Sequence, residues 1–204
     1  MLQMQRKLNE NINPLWESEG YDWNSAILVE TAEAIDHTNW KWWKYGETNT
    51  PALQMELVDI WHFLLSKTLE NYSWDTEARQ YIVQESIGAA YKIEEIEEAE
   101  TIPELLQEFV VLEVGEDSGM ELFLAIVNHA GMTTDSLYSM YMGKNVLNRF
   151  RQEHGYKEGT YIKEWNGRED NEHLVDILNT IPISEPLYEA RIYAGLTEVY
   201  RTTI

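Results

Sequence analysis

Cysteine is absent from this 204-residue chain, which excludes a disulfide framework, thiolate metal ligation and thiol nucleophiles. Positive charge is scarce. Against 36 Asp and Glu there are 15 Lys and Arg, and a net charge of −21 argues against a nucleic-acid backbone as a general partner. No apolar run approaches the length of a membrane span, so no membrane partner is expected. The opening stretch, MLQMQRKLNENINPLW, lacks the pattern of a secretory signal, and a soluble protein of the cytoplasm is the expectation. No internal repeat implies a solenoid. No Ser–His or Cys–His arrangement suggests a covalent intermediate.

What is there belongs to a globular protein. A hydrophobic fraction of 44% with 8 Trp and 12 Tyr is enough to fill one core. The periodicity is helical through most of the chain. It predicts a short helix over residues 1–10, a second from Trp23 to about Thr38, and a third opened by Thr50 as N-cap with Pro51 at its first position. Further helices are expected over Thr76–Ala99, Pro103–Val114 and Gly119–His129, another from Thr133 or Thr134, and a last one at about Glu185–Tyr200 with packing or dimer contacts. Inward-facing residues are expected at Ile27, Leu28, Thr31, Ala34 and Ile35 of the second helix. In the helix after Thr133 they are Leu137, Tyr138, Tyr141, Val146, Leu147 and Phe150. The acidic run IEEIEEAE reads as a solvated face. Trp40, Trp42 and Trp43 are too concentrated for a solvated loop and are expected to pack on the core or line a pocket.

Two acidic pairs carry the chemistry. Glu30 and Glu33, then Glu56 and Asp59, are each three residues apart, which sets both members of a pair on one helical face. Each pair lies among residues that want burial, and carboxylates there are costly unless a cation meets them. No Lys or Arg lies in the ten residues before Glu30 or between Lys44 and Lys67, so a hard divalent cation is the expected partner. Oxygen-only ligation favours magnesium or manganese over zinc. A di-iron bundle ranks behind: Asp59 and His62 are also three apart, but that site needs Glu-x-x-His on each of two helices.

The scarce cations are concentrated in one place. Lys144, Arg149, Arg151, Lys157, Lys163 and Arg168 fall within residues 141–168. Lys144, Asn148 and Arg151 share one helical stripe, and the following loop sets Tyr156, Lys157, Tyr161 and Lys163 between Gly155, Gly159 and Gly167. Donors beside glycines that permit close backbone approach suit a phosphate ligand. Gln5 and Asn9, near one helical face, are either an amide pair at the edge of the core or a specificity contact. Metal carboxylates plus a basic glycine-punctuated segment describe a metal-dependent phosphoanhydride hydrolase acting through water.

The segments ETAEAID, WKWWK, ELVDIWHFLLS and GKNVLNRFRQEHGYKEGTYIKEWNGREDNEHL resemble the motifs of the dimeric all-α dUTPases of some bacteria, kinetoplastids and phages. The resemblance implies an all-α helical bundle of the group that includes the MazG-like NTP pyrophosphatases. The chain would be a single domain over residues 1–204 with a variable helical cap at about 70–130, and a homodimer. It implies hydrolysis of dUTP to dUMP and pyrophosphate in the cytoplasm of a bacterial or phage-infected cell, with dUDP as a second candidate substrate. Carried onto this chain, Glu30, Glu33, Glu56 and Asp59 would hold two or three magnesium ions, and Glu30 would orient or deprotonate the attacking water. Lys144, Asn148, Arg151, Tyr156, Lys157 and Lys163 would hold phosphates. Gln5, Asn9 and Asn171 would read the uracil edge or the sugar, and Phe63 would stack on the base with His62 lining the pocket beside it. A dCTP/dUTP pyrophosphatase of phage type is the neighbouring alternative. From a different class comes a non-catalytic acidic interaction protein.

Overall fold

The computed structural model describes residues 1–72, 76–90, 101–115 and 119–203. They form an all-α protein with one minimal hairpin. In chain order the elements are α1 (Leu2–Ile12), a 3-10 turn (Trp16–Ser18), α2 (Trp23–Asp36), α3 (Thr50–Asn71), α4 (Thr76–Ala90), α5 (Ile102–Val114), α6 (Met120–His129) and α7 (Thr134–Glu153). Strands β1 (Glu164–Trp165) and β2 (Arg168–Glu169) and helices α8 (Asp170–Thr180) and α9 (Tyr188–Arg201) complete it. Among the described residues, no helix is long and apolar enough to cross a membrane. The run IEEIEEAE and the end of the helix expected to reach Ala99 lie outside the described residues.

Two compact units divide the chain. One comprises Leu2 and Leu15–Thr134, the other Met1, Gln3–Pro14 and Asp135–Ile204.

In the Leu15–Thr134 unit, α2 and α3 form an antiparallel pair held at both ends. At one end the backbone of Asn49 donates to the carbonyl of His37 at 2.8 Å. At the other the indole of Trp23 donates to Glu70 Oε2 at 2.7 Å. Each helix starts on a polar cap, since Asp22 Oδ1 accepts from Ser25 N at 2.9 Å and Asn49 Oδ1 accepts from Ala52 N at 3.4 Å. The cap of α3 is thus Asn49, one residue before the expected Thr50, and Pro51 falls within the first turn. Most of α3 is buried, and its half-buried positions Glu56, Asp59, Phe63, Lys67 and Glu70 recur every three or four residues along one stripe. Trp61 of α3 stacks on Phe123 of α6 with ring centres 6.1 Å apart, and Phe109 of α5 meets Phe123 at 5.3 Å. Such pairs contribute about 0.5–1.5 kcal/mol each beyond their burial.

Two expectations for this unit do not hold. Leu28 is not inward-facing: it is 49% exposed, because Ile27, Thr31 and Ala34 already fill the buried stripe of α2. The tryptophans do not pack on the core, since Trp42 is 89% exposed and Trp40 and Trp43 are exposed as well. Instead their rings meet edge to face, Trp40 with Trp43 at 5.3 Å and Trp42 with Trp43 at 5.5 Å. Lys41 lies over Trp40 and pairs with Asp36.

In the other unit, Phe150 of α7 is the centre of an aromatic cluster. His154 stacks on it at 3.8 Å, and Trp165, Tyr193 and Tyr200 approach edge-on at 5.3–5.8 Å. Tyr138 departs from its expected inward position and is exposed. Gly143 and Gly195 let α8 come close: a Cβ on Gly143 would lie 2.8 Å from Leu178 Cδ1, and one on Gly195 would lie 3.1 Å from Ile177 Cγ2. Asn166 and Gly167, both with positive φ, turn β1 into β2 as an Asn-Gly hairpin. Neither this hairpin nor α8 is anticipated by the periodicity reading.

Candidate functional site

The α2–α3 pair assembles the acidic residues. Oxygens of Glu30, Glu33 and Glu56 lie within 4.8 Å of one another, which is close enough to share a single cation. Glu33 is exposed, while Glu30 and Glu56 are half-buried between the helices. The Glu30 carboxyl is pushed up to about 8. Loss of water is the main cause, followed by the charges of Asp59, Glu56 and Glu33 and a hydrogen bond with Glu56. Asp59, one turn further along α3, is not among the close trio and acts on Glu30 through its charge. His37 adds a neighbour, its Nε2 lying 3.4 Å from Glu56 Oε1. The partner for His37 is not visible in the sequence, because the Asn39–Asn49 loop separates it from α3.

The donor set consists of carboxylate oxygens, and burial followed by mutual repulsion favours a proton on Glu30. Both properties fit a hard divalent cation.

On the other half of α3, His62 is buried, and Phe63 is half-buried against Trp23 at a ring distance of 6.2 Å.

The second cluster belongs to the unit containing α7. Lys144 and Arg151 are both buried, and they converge on one amide: Lys144 Nζ donates to Asn171 Oδ1 at 2.9 Å and Arg151 Nη2 to the same oxygen at 3.3 Å. Arg151 Nη1 donates to Asn148 Oδ1 at 3.1 Å. Asp170 was missed by the sequence reading. It is fully buried and accepts from Arg151 Nε at 2.8 Å, from Arg151 Nη2 at 2.7 Å and from the Tyr161 hydroxyl at 2.7 Å. Burial, then the charge of Asp170, pushes the Tyr161 hydroxyl well above its usual range, so it remains a donor. The sequence holds only a faint signal for this pairing, the Asp-Asn step at the foot of α8.

Around this centre the remaining basic-segment residues scatter. Arg151 lies over the half-exposed Tyr156 ring at 5.9 Å. Lys157 Nζ donates to the Ile12 carbonyl at 3.3 Å, and Lys163 is exposed with Glu169 Oε2 at 3.6 Å, so neither joins the Arg151 network. Gly155, Gly159 and Gly167 all have positive φ, which gives them a conformational role in the turns. Gln5 and Asn9 are buried and joined, Gln5 Nε2 donating to Asn9 Oδ1 at 3.0 Å, and Tyr141 of α7 donates to Gln5 Oε1 at 3.1 Å.

A family model described as dUTPase matches residues 1–156. The matched span contains both acidic pairs, Gln5, Asn9, Lys144, Asn148 and Arg151, and it stops before Tyr161, Asp170 and Asn171. Among curated proteins the chain finds no match.

Proposed function

The chain belongs to the all-α dUTPase family and hydrolyses dUTP, and from that premise we propose that it does so with magnesium, releasing dUMP and pyrophosphate. The observation that carries the metal assignment is the approach of Glu30, Glu33 and Glu56 to within 4.8 Å, with Glu30 already holding its proton unusually tightly.

Glu30, Glu33 and Glu56, with Asp59 beside them, would hold two or three magnesium ions, manganese being the alternative. Held there, the metal would supply positive charge against the polyphosphate and lower the pKa of water. Glu30 orients the attacking water and takes its proton. The water oxygen bonds to one of the two phosphorus atoms of the α–β anhydride, the bridging oxygen leaves on the other with the electron pair of the broken bond, and the products are dUMP and pyrophosphate. No side chain is acylated or phosphorylated on the way.

Lys144, Asn148, Arg151, Tyr156 and Lys157 are assigned to the phosphates, with Lys163 at the margin. Gln5, Asn9 and Asn171 are assigned to the uracil edge or the sugar, and Phe63 to the face of the base with His62 beside it. A homodimer is part of the same reading, checked by light scattering during size-exclusion chromatography.

Replacing Glu56→Gln keeps the shape of the side chain and removes a charge. The expected result is loss of pyrophosphate release at saturating magnesium with an unchanged circular dichroism spectrum. Full activity in that variant, or of the parent in excess chelator, removes the metal from the reaction. Side-by-side turnover of dUTP, dCTP and dTTP fixes the base preference.

A further inference from the structure

Asn148 and Asn171 are held by cations on one side only. Arg151 donates to Asn148 Oδ1, and Arg151 and Lys144 both donate to Asn171 Oδ1. Neither guanidinium nor ammonium can accept a hydrogen bond, so turning either amide over would set N–H against N–H. The carboxamide orientations are therefore dictated by chemistry: oxygens face the cations and the NH2 groups face away. Both side chains are half-buried, and neither NH2 group has a partner among the described residues.

The cations in turn are set by Asp170. Its two oxygens grip Arg151 through Nε and Nη2, a fork-to-fork geometry that leaves the guanidinium one plane and one rotation. Tyr161 donates to the same carboxylate and fixes its rotamer. The Asp170 backbone N–H, bonded to the Lys163 carbonyl at 3.0 Å, anchors the start of α8 from which both Asp170 and Asn171 project. The carboxylate is fully buried, and its partner is nearly so.

We propose that Asp170 is a positioning residue which, through Arg151, locks Asn148 and Asn171 into a pair of outward NH2 donors that recognise acceptor oxygen on the nucleotide. The inference rests on the dUTP reading for the identity of the nucleotide, but the locking itself does not. Acceptor oxygen has two sources on such a ligand, a carbonyl of the base or an oxygen of a phosphate. A donor-only Asn171 donates to the carbonyl of uracil and opposes the amino group at the corresponding position of cytosine.

The locking is tested without nucleotide. In 15N-labelled protein the side-chain NH2 signals of Asn148 and Asn171, assigned from Asn148→Asp and Asn171→Asp, shift in Asp170→Asn. They shift less, in the same sense, in Tyr161→Phe, which removes one hydrogen bond and keeps the ion pair should Asp170→Asn fail to fold. Signals unmoved in folded Asp170→Asn, or in Tyr161→Phe where it alone folds, overturn the positioning role.

The recognition is tested with Asn171→Asp, which still offers oxygen to Lys144 and Arg151 and replaces the outward donor by an acceptor. Its KM for dUTP rises roughly tenfold or more, the loss of one hydrogen bond plus a repulsion, while kcat changes less. If the partner is the base, dCTP gains on dUTP in this variant; if a phosphate, both lose alike. An unchanged KM for dUTP in the folded variant overturns the recognition. Failure of the parent to hydrolyse dUTP overturns the substrate reading and leaves the NH2 signals as the separate test of the lock.

Discussion

Glu30 shows how one residue can report on the whole site. Its carboxyl binds a proton more tightly in the folded chain than in the unfolded one, at about 8 against an ordinary 4.5. Its contribution to stability is therefore fully present below the unfolded value and is lost as pH rises through the folded one. Without metal, thermal stability is expected to fall between pH 5 and pH 8 by this group's contribution, and Glu30→Gln should flatten that fall. In the proposed metal role magnesium would compete with the proton, so the rise in melting temperature on adding it should be larger at pH 8 than at pH 5. The opposite order, read by differential scanning fluorimetry, contradicts cation binding at these acids. The pairing of Glu30 with Glu33 on α2 and of Glu56 with Asp59 on α3 was legible because spacing along one helix is local information, whereas the separation of Asp59 from the close trio was not. Asp170 was not legible either, since its partner Arg151 sits 19 residues away and the chain turns at Gly155, Gly159 and Asn166–Gly167 before reaching it.

At the scale of elements, capping and periodicity marked α2, α3 and α5–α7 closely, and even the error at Asn49 was one residue. Helix α8 went unseen although Asp170 and Glu172 stand in its first turn and Leu174 and Leu178 share a face. Its proximity to a glycine-rich segment read for ligand binding hid the pattern. The exposed Trp loop is the converse case: hydrophobicity predicts burial, whereas the three indoles meet one another edge to face at the surface and stay exposed. Helix α8 packs on α7 through Gly143, where an added methyl would meet both Leu178 methyls and Leu174. Those are flexible side-chain ends, so Gly143→Ala should cost about 1–3 kcal/mol by overpacking and not abolish folding. Urea denaturation measures it, and an unchanged midpoint would show that α8 shifts freely.

Over the whole molecule, the all-α class implied by the resemblance agrees with the helical periodicity read through most of the chain, while the two compact units left no compositional mark. A charge of −21 on 204 residues means that repulsion among surface acids opposes the folded state. Sodium chloride at about 0.15 M, which shortens the Debye length to about 8 Å, should raise the melting temperature by screening it. A fall instead would show that exposed ion pairs such as Arg168–Glu172 and Arg168–Asp176 outweigh that repulsion.

Because α2 and α3 are tied at Asn49–His37 and again at Trp23–Glu70, the carboxylates between them cannot relax by drifting apart. Under the proposed metal role, the crowded trio would behave like a bead of weak-acid exchange resin, trading hydrogen ions for metal ions as the medium turns alkaline. Loosening the distant tie, at Trp23 rather than at any acid, would slacken that exchange.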